Sequence, residues 1–185
     1  VTPLAYPILA CWALLEVSLR VREAAQGKGS RDRDRGTRIL IAISLGAAIA
    51  AASLAPSLAP SLGVPVALRV FGVLVMCVGV AMRFWAVAAL GDAFRTTVEV
   101  DSEQAVVTSG PYRWIRHPSY AGLLMILAGL GLALGNWLSL AACLLLPPPA
   151  LAWRIQVEEA ELSRVLGDAY RAYQARTARL IPGLW

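Results

Sequence analysis

Five stretches of this chain are apolar over about the length a membrane requires, and no other feature constrains the fold as much. A helix rises about 1.5 Å per residue, so roughly 20 apolar residues cross the hydrocarbon core. The stretches lie at about 3–19, 38–58, 65–90, 119–135 and 137–153. Composition agrees: 58% of residues are hydrophobic and 16% charged, against about 25% charged in soluble domains. The expected fold is an all-α integral membrane protein with about five transmembrane helices. Only Asn136 separates the last two stretches, which predicts a tight helical hairpin over about 119–153. Pro147, Pro148 and Pro149 are expected to kink its second arm, because they lack N–H donors and clash with the preceding turn. The third stretch contains Arg69 and Arg83. For Arg83 two readings stand open, snorkelling to the interface or lining a polar cavity.

Basic residues fix an expected orientation. The loop 20–38 holds Arg20, Arg22, Lys28, Arg31, Arg33, Arg35 and Arg38. Segment 91–118 adds Arg95, Arg113 and Arg116, and the tail adds Arg154, Arg164, Arg171, Arg176 and Arg179. The intervening loops, about 59–64 and 136, hold no Lys or Arg. Five helices place every basic segment on one side, which predicts an N-terminus outside and a C-terminus in the cytoplasm. The net charge of +5 and pI near 9.6 then report topology and contact with anionic lipids, and no nucleic-acid partner is expected. The first apolar run has its basic residues after it, which marks a retained membrane helix and not a signal peptide. The Ala-, Arg- and Gly-rich composition suggests a bacterial inner membrane. Two regions are expected: 1–90, with three helices and the basic loop 20–38, and 91–185, with the hairpin and the tail.

Residues 154–174 change character. Leu162, Leu166, Ala169 and Tyr173 recur at helical spacing, which predicts an amphipathic cytoplasmic helix, weak at Gly167 and ended by Pro182, with LIPGLW docking back on the membrane surface. Trp85, Trp114, Trp137, Trp153 and Trp185 fall near predicted helix ends, as an interfacial aromatic belt would. Gly131 and Gly135 form a GxxxG spacing suited to close helix packing. Cys11, Cys77 and Cys143 lie far apart in apolar runs, so buried thiols are expected, with neither a disulfide framework nor a metal site. There is no strand-linked GxGxxG, HExxH, nucleophile elbow or P-loop. Any chemistry must be built from helix ends at one membrane face.

Two clusters qualify. Arg116–His117–Pro118 opens the fourth helix, where a proline costs no donor. The free N–H groups of a first helical turn, the helix dipole and the nearby guanidiniums suit an anion. The same residues also suit a plain positive-inside anchor. Arg154, Glu158, Glu159 and Glu161 directly follow the fifth helix. Arg154 and Glu158 share a helix face, in the less favourable order for a surface pair, at a depth where charges are costly unless used.

The stretches VVTSGPYRWIRHPSYAGLL (106–124), RIQVEEAEL (154–162), GDAYRAYQ (167–174) and LIP (180–182) resemble the isoprenylcysteine carboxyl methyltransferase family, integral membrane enzymes related to phospholipid N-methyltransferases. The resemblance spans about 90–185. The block G-x-Y-x-x-x-R-H-P-x-Y together with the downstream R-x-x-x-E-E carries it. It implies S-adenosyl-L-methionine as cofactor and O-methylation of a carboxylate or hydroxyl on a lipophilic, prenylcysteine-like substrate, in contact with membrane lipids. Gln104, Ala105, Val106, Val107, Tyr112, His117, Pro118, Ser119, Tyr120, Glu158 and Glu159 would contact or support the cofactor. Arg154 and Glu158 would be catalytic, with Arg154 orienting the substrate carboxylate and Tyr170 and Tyr173 in support. The chemistry of these residues matches: a helix N-terminus and His117 for the cofactor carboxylate, Glu158 for its ammonium, tyrosines for the adenine and sulfonium. Two other enzyme classes fit the same block. One is a phospholipid-type N-methyltransferase. The other is an NADPH-dependent sterol reductase, whose phosphate Arg113 and Arg116 could meet. A non-enzymatic protein on the same scaffold is the remaining reading.

Overall fold

The computed structural model describes residues 1–25, 36–91 and 106–183. Helix α1 spans Thr2–Ala25, α2 Thr37–Leu58, α3 Val66–Leu90, α4 Pro118–Ala133, α5 Trp137–Leu145 and α6 Pro147–Gln174. A 3-10 turn, Gly110–Arg113, precedes α4. The chain is an all-helical integral membrane protein. Among the described residues, four helical stretches are long and apolar enough to cross a membrane: Thr2–Leu19, Thr37–Leu58, Val66–Leu90 and Trp137–Gln174, the last combining α5 and α6. The predicted fourth span, α4, has only 16 residues, about 24 Å of helix. It is apolar on every side and enclosed by protein, so its length need not match the lipid. Ile126, Leu127, Leu130 and Ala133 of α4 form the middle of the core with Met76, Cys143 and Leu151. Outward-facing Leu14, Ile43, Leu54, Leu74 and Val78 are exposed, as lipid-facing side chains should be.

Glycines bring α3 and α4 into backbone contact. A Cβ on Gly79 would lie 2.7 Å from the Gly122 carbonyl oxygen, and one on Gly72 would lie 2.7 Å from that of Gly129. Gly72 and Gly79 are seven residues apart, as are Gly122 and Gly129, so two antiparallel helices meet twice with no side chain between them. The predicted GxxxG divides differently. Gly131 does pack closely, its missing Cβ 2.5 Å from the Leu140 Cα of α5. Gly135 instead adopts a left-handed φ of 79° and ends the hairpin's first arm.

Asn136 closes that hairpin. Its side chain accepts from the Leu138 N–H at 2.8 Å and donates to the Ala59 carbonyl at 2.7 Å. Backbone bonds from Val64 to Gly135 and from Trp137 to Leu62 tie in the α2–α3 loop. The second arm and the predicted amphipathic helix prove to be one element. Helix α5 stops at Leu145 and α6 restarts at Pro147, while Leu146 keeps helical angles (φ −75°, ψ −45°). The prolines therefore interrupt the hydrogen-bond ladder, as expected of residues without N–H donors. Gly167 is a true break, with φ 56° and ψ −129°. It shifts the helix face, which is why Ala169 is exposed while Tyr170 and Tyr173 are buried. The helix ends at Gln174, before the predicted stop at Pro182. The chain then turns back, and Ile115 and Ala178 form a parallel bridge.

Of the cysteines, only Cys143 is buried within the protein. Cys11 and Cys77 are exposed, on helix faces open to lipid. Trp85, Trp114, Trp137 and Trp153 are all exposed, the first three near helix ends and Trp153 inside α6, where the sequence predicted an end. Trp185 and most of loop 20–38 lie outside the described residues.

Candidate active site

The site lies at the bundle end opposite the Asn136 turn, where α4 begins and α6 carries its two adjacent glutamates. The 3-10 turn and His117 lead into α4. The His117 N–H donates to the Arg179 carbonyl at 3.0 Å, and the Arg116 N–H to that of Ala178 at 2.8 Å, so the returning tail holds this loop from outside. Pro118 occupies the first helical position and is buried. The N–H groups of Tyr120 and Ala121 both bond to the His117 carbonyl. The first turn of α4 therefore offers an anion less than the sequence suggests, because most of its donors are already engaged.

Arg154 is the largest fully buried side chain, 1% exposed. The surface-pair alternative is thereby removed. Its Nε donates to Glu158 Oε1 at 2.7 Å and lies 3.3 Å from the Tyr120 hydroxyl, and its Nη1 donates to Thr37 Oγ1 at 2.8 Å. The Tyr120 hydroxyl donates to the same Glu158 oxygen at 2.6 Å. His117 Nδ1 is 3.5 Å from Glu158 Oε2, and its ring stacks on Tyr120 with centroids 5.7 Å apart. Tyr112 is buried close by. Desolvation holds its phenol well above the ordinary range, and the negative charge of Glu158 adds to this. Tyr112 is thus a neutral aromatic wall.

The two glutamates, adjacent in sequence, have different surroundings. Glu159 is enclosed: Oε1 accepts from Arg116 Nε at 2.8 Å and sits 3.3 Å from His117 Nε2, while Oε2 accepts from Arg179 Nε at 2.9 Å. Its side chain is 5% exposed, against 18% for Glu158. Arg116 also donates through Nη1 to the Gln174 carbonyl at 3.0 Å and to the Thr177 carbonyl. Arg116 and Glu159 therefore lock the tail onto the loop, and Glu158 is the carboxylate that a ligand can reach.

The structure brings together Tyr112, His117, Pro118, Ser119, Tyr120, Arg154, Glu158 and Glu159. Ser119 faces α3, its hydroxyl accepting from Arg83 Nη1 at 2.6 Å. Tyr173 donates to the Tyr112 carbonyl at 2.6 Å, and Tyr170 packs on Tyr173. Val106 and Val107 are half-buried coil leading toward the 3-10 turn. Gln104 and Ala105 lie outside the described residues. Arg113 is exposed and stacks on Trp114 at 3.7 Å, away from this cluster. Sequence reasoning missed Thr37, the clasp formed by Arg179, and the pairing of Arg83 with Glu16. No local motif marks any of them, because Thr37 and Glu16 come from distant helices and Arg179 from a tail that folds back after α6.

The model of the isoprenylcysteine carboxyl methyltransferase (ICMT) family matches residues 72–164. This stretch holds half of the chain, including α3, the 3-10 turn, α4 and both glutamates. The chain belongs to this family. The match begins in α3, upstream of the motifs that first suggested it, and so takes in Arg83. The protein-S-isoprenylcysteine O-methyltransferase of Schizosaccharomyces pombe is 32% identical over 109 residues, 58% of this chain and 46% of that protein. Protein-S-isoprenylcysteine O-methyltransferase A of Arabidopsis thaliana is 32% identical over 114 residues, 60% of this chain and 58% of that protein. The chain thus spans about half the length of the curated relatives it matches. Among solved structures, the eukaryotic intramembrane Ras methyltransferase ICMT superposes with a TM-score of 0.66 at 29% identity, covering 77% of this chain and 52% of that one.

Proposed function

We propose that this ICMT-family protein is an S-adenosyl-L-methionine-dependent methyltransferase that O-methylates a carboxylate on a lipophilic, prenylcysteine-like substrate, or a hydroxyl on a related one. The observation that carries the reading is the contrast between the closed Glu159 and the open Glu158, the latter framed by Tyr112, His117, Tyr120 and Arg154. That donor set fits the cofactor. Glu158 pairs with an ammonium, His117 with a carboxylate, and the Tyr112 and Tyr120 rings line a flat base and a sulfonium. Val106 and Val107, with Gln104 and Ala105 before them, would complete the cofactor's surroundings.

When bound, S-adenosylmethionine supplies a methyl group on a positively charged sulfur. Arg154 would orient the substrate carboxylate toward the bound cofactor. A carboxylate is already ionised, so no residue here need remove a proton from it, whereas a hydroxyl acceptor would need a base, for which Glu158 is the candidate. Transfer from a sulfonium to a carboxylate, breaking the methyl–sulfur bond as the oxygen–methyl bond forms, would neutralise both charges. A site walled by buried Tyr112, Pro118 and Arg154 favours such a reaction over one that creates charge. Alignment supplies the rest, of the order of 7–11 kcal/mol in favourable cases. Arg154 lies inside the bundle, which suits an anion arriving on a lipophilic body from the bilayer side. The basic residues Arg113, Arg116, Arg164, Arg171, Arg176 and Arg179 favour a cytoplasmic position for this end of the bundle, by the positive-inside rule.

Calorimetric titration of the detergent-purified protein with S-adenosylhomocysteine, with NADPH beside it, tests the class. Saturable binding of S-adenosylhomocysteine that is lost in Glu158→Ala is expected. Binding of NADPH alone would replace the reading with a reductase. Transfer of a labelled methyl group to an S-prenylated cysteine carboxylate, and not to the amine of phosphatidylethanolamine, is the expected acceptor preference.

A further inference from the structure

Arg83 sits within the apolar span of α3, yet it is buried in the protein, 7% exposed. It does not snorkel. Its Nε pairs with Glu16 of α1. Its Nη1 donates to the Ser119 hydroxyl at 2.6 Å and to the Ser119 carbonyl at 3.1 Å. The same Glu16 oxygen, Oε1, also accepts from the Trp12 indole N–H at 3.0 Å. One guanidinium therefore joins three helices, and its grip on α4 falls on the first turn, between His117 and Tyr120.

The glycine contact sets the spacing for that grip. A Cβ on Gly122 would lie 2.8 Å from the Gly79 carbonyl oxygen and 3.0 Å from the Arg83 backbone nitrogen. At so close an approach Arg83, four residues beyond Gly79 and so on the same helix face, reaches along α4 to Ser119 near its N-terminus. An arginine suits the place because its planar fork serves two partners at once, which a lysine ammonium does with less geometric control. Charged groups at this depth are costly unless paired, and Glu16 supplies the pairing from a helix outside the residues matched by the family model.

We infer that Arg83 is a positioning residue for the candidate site, with Glu16 as its counterion, and that together they clamp the first turn of α4 and set the placement of His117 and Tyr120. Helix α1 is then part of the working machinery as well as a membrane anchor. The inference rests on the reading of that site as a cofactor site.

The test is S-adenosylhomocysteine titration of the full chain in detergent for the parent, Arg83→Lys, Glu16→Gln, the double variant and Glu158→Ala, with helical content followed by circular dichroism. Each single substitution at the clamp is expected to weaken binding about tenfold, as a small misplacement of site groups does. The double variant is expected to bind no more weakly than the weaker-binding single, because both act through one contact. A purely structural role would lower the thermal midpoint and leave the affinity alone. Should Arg83→Lys fail to fold, Glu16→Asp reads the same coupling with the charge kept and the reach shortened. Parental affinity in folded Arg83→Lys and Glu16→Gln, with binding lost in Glu158→Ala, would overturn the clamp and keep the cofactor site. Additive losses in the double variant would overturn the link from Glu16 through Arg83. No binding by the folded parent would overturn both readings.

Discussion

The two ends of this bundle solve the same problem with different means. At the turn end, α2 meets α3 and α4 meets α5, and closure uses the Asn136 amide, a glycine in the left-handed region, a few backbone bonds and one cation, Arg69, which packs on Gly135 and donates to the Thr2 hydroxyl at 2.8 Å. At the other end, the loop before α4, the start of α4, the first half of α6 and the tail after α6 are joined by Arg116, His117, Arg154, Arg179, Glu158 and Glu159. Closing a helical bundle does not require a cluster of ion pairs, as the turn end shows with one arginine bonded to a hydroxyl. Buried ion pairs seldom improve on apolar packing for stability alone. The charge at the site end is therefore best explained by work done on a charged ligand. Within that end the same contrast recurs, with Glu159 sealed by two arginines and a histidine and Glu158 left partly open.

The contrast can be broken at four places, taken from the largest expected effect to the smallest. Glu159→Gln should cost about 3–5 kcal/mol of stability, the usual penalty for stripping a partner from buried charges. It would be seen as a large drop in thermal midpoint together with release of the 176–179 tail to proteolysis. Arg154→Lys should keep the positive charge but lose the fork that spans Glu158 and Thr37. Turnover is expected to fall about 100-fold, some 2.7 kcal/mol of transition-state stabilisation, with S-adenosylhomocysteine affinity kept within a few-fold. Gly79→Ala places a methyl group 2.7 Å from the Gly122 carbonyl oxygen, so α3 and α4 must separate. Stability should fall by about 1–3 kcal/mol, as overpacking does, and cofactor affinity should fall with it. Asn136→Ala removes an N-cap worth about 1 kcal/mol, and thermal unfolding should register that loss while cofactor affinity stays at the parental value. Reduced cofactor affinity in Asn136→Ala would show that the two ends are not separable.

Much of this was legible in the sequence, and the limits have physical causes. Apolar runs of membrane length gave the helices to within a few residues at most ends, and Asn136 alone sufficed to place the hairpin. The candidate residues from Tyr112 to Tyr120 and from Arg154 to Glu159, named from the family resemblance, lie in two short continuous segments that the structure brings together. Three features were hidden. The continuity of α5 into α6 was obscured because proline in a first helical turn and proline at a kink look alike in one dimension. The glycine contacts of α3 with α4 follow a seven-residue spacing across two helices far apart in sequence, which no local window detects. The separate fates of Glu158 and Glu159 depend on Arg116 and Arg179, whose positions are set by a tail that folds back only after α6 ends.

The central claim is that Glu158, and not its neighbour, meets the cofactor. Titration of Glu158→Gln with S-adenosylhomocysteine tests it most directly, because the amide keeps the shape and the bonding to Tyr120 and Arg154 while removing the charge. An affinity loss of about 100-fold, roughly 2.7 kcal/mol, is expected in a protein that stays folded, with a thermal midpoint lowered because buried Arg154 loses its charge partner. Parental affinity in that variant would contradict the account.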